Sequence, residues 1–181
     1  MTQKTTKWVA IRKRLSCLSE RDLLGLLSDL YTLSKANQNF FEARFLQETE
    51  SLDRYKTHIQ RHLAPREPSQ KISILEAKKA ISDYKKASSN PIHLIDLMIY
   101  YVECGTAFTC EFGDMDETYY GTLESMFEKA ILLMKKQPRD EIEDFIHRLE
   151  VVVGKTRSIG WGYHDFIADI LRKAYGSEST S

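Results

Sequence analysis

The chain has 181 residues, of which 42% are hydrophobic and 29% charged, a composition suited to a packed core and not to disorder. Its 26 Lys and Arg balance 26 Asp and Glu, and with 8 Gly and 4 Pro it has few chain breakers, which favours long helices over many short strands. The most apolar stretch, 91–112, is interrupted by Asp96 and Glu103, so no segment reads as a membrane span.

The pattern predicts eight or nine helices in chain order. An amphipathic segment from Lys7 to Leu18 comes first. Ser19 with Glu20, Arg21 and Asp22 then starts a helix carrying Leu23, Leu26, Leu27, Leu30 and Leu33 at helical spacing. Asn37 and Asn39 are expected to break it, with Phe40, Phe41 and Phe45 opening the next element. A fourth runs from about Ser51 to Leu63, with Leu52, Tyr55, Ile59 and Leu63 on one face. Pro65 and Pro68 mark Ala64–Gln70 as a loop.

Ser73 with Glu76 forms an S-x-x-E capping box. Asn90-Pro91 is a second start signal, opening a helix that is apolar on nearly every side and so expected to be central and buried, with Gly113 ending it. Asp116 is positioned to cap the next helix, Pro138 precedes another, and Gly160-Trp161-Gly162 makes a tight turn before the last. The expectation is an all-α single domain over 1–175, with possible sub-halves 1–64 and 71–175, and a disordered tail over 176–181. Its architecture is a bundle or a short HEAT-like stack of helical hairpins. The stack is hinted at by an echo between Ser28-Asp29-Leu30-Tyr31 leading to Asn37 and Ser82-Asp83-Tyr84 leading to Asn90.

Leu23-Leu24-Gly25-Leu26-Leu27-Ser28-Asp29-Leu30-Tyr31, Ser34-Lys35-Ala36-Asn37 and Glu76-Ala77-Lys78-Lys79-Ala80-Ile81-Ser82-Asp83-Tyr84 resemble the corresponding parts of a family of small, all-helical bacterial proteins known only as a domain of unknown function. Tyr101-Val102-Glu103-Cys104-Gly105, Phe112-Gly113-Asp114 and Gly160-Trp161-Gly162-Tyr163-His164-Asp165 continue the resemblance, the last being its most specific part. It covers roughly residues 15–175, and it implies a bacterial, cytoplasmic, helical protein without implying an activity.

Charge is unevenly spread. Residues 1–90 carry 17 Lys and Arg against 10 Asp and Glu, and residues 91–181 carry 9 against 16. Such polarity suits either nucleic-acid binding by the basic half or pairing between opposite halves of two molecules. Cys17, Cys104 and Cys110, an odd count without a secretory signal, read as free thiols of a reducing, cytoplasmic setting.

The densest polar chemistry lies in Glu103, Glu111, Asp114, Asp116 and Glu117, and in the Trp161, Tyr163, His164, Asp165 turn. Carboxylates near an imidazole can hold a divalent metal or share a proton, and the two glycine-marked turns are expected to lie close together. Yet the acidic run lacks the glycine and terminal glutamate of a calcium loop, and H-x-x-x-H, C-x-x-C, Walker A, dinucleotide-binding and G-x-S-x-G patterns are absent. No cofactor is expected. The leading expectation is a non-enzymatic protein-interaction or accessory module that binds a protein partner or itself. The alternatives are a metal-dependent enzyme built on the acidic loop and the Trp161–Asp165 turn, and a nucleic-acid binder using the N-terminal half, where Lys78, Lys79, Lys85 and Lys86 share a helix.

Overall fold

The structure is a computed structural model that describes residues 2–45, 48–67, 70–88 and 90–176. These form helices α1 (Thr2–Leu15), α2 (Glu20–Leu33), α3 (Lys35–Phe45), α4 (Glu48–Leu63), α5 (Ile74–Ala87), α6 (Pro91–Phe112), α7 (Glu117–Met134), α8 (Arg139–Lys155) and α9 (Tyr163–Tyr175). There is no strand among the described residues, and no helix among them is long and apolar enough to cross a membrane. Residues 177–181 of the expected tail, Pro68 of the proline loop and Ser89 lie outside the described residues.

Helix α6 is the axis. Asn90 Oδ1 accepts from the Ile92 and His93 N–H groups at 3.0 and 3.4 Å, and Pro91 occupies the first turn, where its missing donor costs nothing. Leu97, Ile99, Tyr101 and Val102 are wholly buried, and the helix packs against α4, α5, α7 and α8. One helix touching four others is a bundle. In a stack each hairpin would meet only its neighbours. At Gly105 a Cβ would stand 2.3 Å from Cδ2 of the wholly buried Leu123, so this glycine sets the close approach of α6 and α7. Gly113, at φ 102°, ends the helix in a conformation that suits glycine.

The buried core runs through α4 to α9, from Leu52 to Leu171. Its tyrosines bury rings and still satisfy their hydroxyls. Tyr119 donates to the Leu63 carbonyl at 3.0 Å, and Tyr101 pairs with Thr122 at 3.2 Å.

Two local expectations need correction. Asn37 and Asn39 lie inside α3 and do not break the chain there. The break is Ser34, whose Oγ accepts the Asn37 N–H at 3.1 Å, while Asn37 Nδ2 donates back to the Leu30 carbonyl at 2.6 Å. Asn37 thus differs from Asn90, which is a true cap, and the sequence echo does not carry into equivalent structure. The capping box at Ser73 is half formed. Its Oγ accepts from the Glu76 N–H at 3.4 Å, but the Ser73 N–H goes to the His62 carbonyl at 2.8 Å, fastening the end of α4 to the start of α5.

The first two helices contrast with the rest. Helix α1 packs along no other described helix, and α2 packs on α3 alone. No residue from Lys7 to Leu33 is buried.

Candidate functional site

The two glycine-marked turns meet. The Asp114 carboxylate accepts a hydrogen bond from the Tyr120 hydroxyl, which itself accepts from the Met115 N–H at 3.3 Å. Asp114 also stands against Gly160, where an added Cβ would lie 3.0 Å from its Oδ2. Behind this contact the Tyr120 and Tyr163 rings sit 5.2 Å apart, and the Tyr163 hydroxyl pairs with Thr106 of α6 at 3.0 Å. Burial, reinforced by Asp114, raises the Tyr120 pKa, and burial likewise raises that of Tyr163. Both hydroxyls therefore stay protonated and can donate at neutral pH.

Asp116 caps α7 by accepting from the Tyr119 N–H at 2.8 Å, and Glu117 stands in that helix's first turn, where its charge suits the helix dipole. Asp165 has the same place in α9. His164 Nδ1 pairs with the Thr156 hydroxyl at 2.9 Å. Trp161 adopts φ 61°, unusual for a bulky side chain, and is 60% exposed. Among the described residues no three His, Cys, Asp or Glu side chains gather closely enough to hold a metal ion.

Glu103 belongs elsewhere. Arg148 of α8 grips it through Nε and Nη2, both at 2.7 Å, while Nη1 reaches Asp96 at 2.6 Å and Lys56 of α4 closes on the other Asp96 oxygen at 2.7 Å. Two acids and two bases thus form a neutral chain tying α4, α6 and α8 together. Burial alone would raise the Asp96 pKa, but hydrogen bonds from Lys56 and Arg148 prevail and hold its carboxyl below the usual range. Asp96, Arg148 and Lys56 escaped the sequence reading because they lie far apart along the chain. The visible clue is that Asp96 and Glu103 stand seven residues apart, hence on one face, in an otherwise apolar helix.

The lysine-rich face of α5 is interrupted by acid, since Lys86 pairs with Asp83 at 3.0 Å. Beside it a cavity of about 450 Å³ opens between α3, α4 and α5, with Asn39, Tyr55, His58 and Lys79 in its wall. Asn39 Oδ1 is buried there without a hydrogen-bond partner among the described residues.

The largest unfilled demand lies in α1 and α2. Trp8, Ile11 and Leu15 repeat at helical spacing on α1, with Trp8 56% exposed. On α2 the side chain of Tyr31 faces α3, bonding Glu42 at 2.9 Å and meeting the Phe41 ring at 6.1 Å. Leu26, Leu30 and Leu33 lie round the helix from Tyr31 and are all exposed, Leu33 at 74%.

Compared with protein-family models, with curated proteins and with solved structures, the chain finds no match in any of the three.

Proposed function

We propose that this chain is a protein-interaction module whose docking face is the arm formed by α1 and α2. One observation carries the reading: residues 7–33 hold a tryptophan, a tyrosine and eight leucines, yet not one residue among them is buried. Isolated apolar side chains on a surface are ordinary, but two successive helices with continuous unpartnered stripes mark a surface that is covered when the protein acts. The residues that prompted an enzymatic reading each have a partner within the fold: Glu103 pairs with Arg148, Asp114 with Tyr120, Asp116 with the Tyr119 N–H and His164 with Thr156. The three free thiols suit a reducing, cytoplasmic setting.

The test is site-specific photocrosslinking in the native cell. A crosslinker replacing Leu26 should give a discrete protein adduct, whereas one replacing the exposed Glu143 of α8 should give none. The absence of a discrete adduct from Leu26, Leu30 and Leu33 alike overturns the reading.

A further inference from the structure

We infer that the partner of the arm is a second copy of this chain, and that the two copies exchange α1, each laying its α1 along the α2 of the other. The inference rests on the reading of α1–α2 as the docking face and names what occupies it. Three observations point to the exchange.

First, the link between the helices is only Ser16–Ser19, a length that ordinarily folds two helices into an antiparallel pair. Here α1 does not lie along α2. Hydrogen bonds from the Ser16, Cys17 and Leu18 N–H groups back to α1 finish that helix, and Ser19 Oγ accepts the Asp22 N–H at 3.2 Å to begin the next. Each helix is terminated on its own, so the stripe that an internal hairpin would bury is left open on both. A segment detached at a short hinge, with its natural acceptor vacant, is the arrangement from which domain exchange arises.

Second, the two faces are electrically complementary. Residues 1–19 hold five cations, Lys4, Lys7, Arg12, Lys13 and Arg14, and no acid. Helix α2 carries Glu20, Asp22 and Asp29 against Arg21 alone. On the helical wheel Asp22 and Asp29 lie along one edge of the Leu26–Leu30–Leu33 stripe, and Lys7 and Arg14 lie along one edge of the Trp8–Ile11–Leu15 stripe with Arg12 along the other. Packing α1 on α1 would set cation against cation, whereas α1 on α2 joins opposite charges around an apolar seam.

Third, the lengths match. Each helix has 14 residues and so runs about 21 Å at 1.5 Å per residue. The two-fold repeats the seam, so each copy contributes one face of α1 and one face of α2 to the interface.

The experiment combines light scattering with the fluorescence of Trp8 in the full-length Trp161→Phe variant, which leaves Trp8 as the only indole. A concentration-dependent dimer is expected. Its Trp8 emission should be blue-shifted and protected from quencher, and should become exposed on dilution to monomer. Arg12→Glu/Arg14→Glu and Asp22→Lys/Asp29→Lys should each weaken the dimer at least tenfold, and mixing the two should restore it. A monomer with exposed Trp8 overturns the second copy as partner but leaves the docking arm standing. A monomer with protected Trp8 means the arm folds onto its own body, and both readings fall. A dimer with exposed Trp8 places association elsewhere, which overturns the second copy as the arm's occupant but leaves the docking arm standing. A dimer that is not weakened by Arg12→Glu/Arg14→Glu overturns the exchange of α1 onto α2. Far-UV circular dichroism on every variant confirms that the helices persist.

Discussion

Helix α2 is rich in leucine and α6 in isoleucine and leucine, yet they live in opposite environments. Of the 22 residues of α6, Leu97, Ile99, Tyr101 and Val102 are among those wholly enclosed, while none of the 14 residues of α2 is buried. Apolar spacing states that a helix needs a partner, not where the partner is. Helix α6 finds four within its own chain, and α2 finds one and leaves a second stripe open.

Core truncation tests this contrast most severely. Leu97→Ala should cost about 2–5 kcal/mol, because it opens a cavity where the surroundings are fixed on all sides. Leu33→Ala, measured by denaturant unfolding at concentrations too low for association, should stay within about 0.5 kcal/mol. Equal losses at the two positions would show that the arm is core after all.

Next in size is the ion chain. Arg148→Met leaves Asp96 and Glu103 facing each other's charge without their shared cation, and should cost about 2–3 kcal/mol, below a fully buried case because these side chains keep some solvent. The pH dependence has a definite sign. The Asp96 pKa is depressed on folding, so its contribution is complete above the ordinary aspartate value of about 3.9 and is lost as pH falls below it. The gap in stability between the parent and Arg148→Met should therefore narrow below about pH 4. A gap that widens there would refute the assigned pairing.

The smallest effect concerns the strained turn. Trp161→Gly should raise stability by about 0.5–1 kcal/mol, since glycine adopts φ 61° freely and the exposed indole gives up little burial. A loss in melting temperature would mean that the indole contributes packing beyond what its exposure suggests.

Much of the body was legible in the residues. Asn90-Pro91 and Gly113 bracket α6, Asp116 caps α7, and the meeting of the Asp114 and Trp161 turns was foreseeable because both are glycine-marked ends of long helices. Local signals failed where a polar group had two options. Ser73 could take a reciprocal cap or an external carbonyl, and Asn37 could break a helix or bond back across a break. The ion chain was illegible because Arg148 stands 52 residues from Asp96, and no local pattern selects that pairing. His164 was expected beside carboxylates on the strength of their shared neighbourhood. The partner the structure gives it is the Thr156 hydroxyl, which no local pattern names.

The central place of α6 also fixes the order in which this chain can fold as it is made. Synthesis delivers α1 to α5 first, but the apolar faces of α4 and α5 are closed by α6, which ends at Phe112. At about 5–20 residues per second, the segment from Leu33 to Phe112 takes on the order of ten seconds to emerge. Throughout that interval the nascent N-terminal half displays unclosed apolar faces outside the ribosome, and the leucines of α2 remain uncovered even after the body has closed.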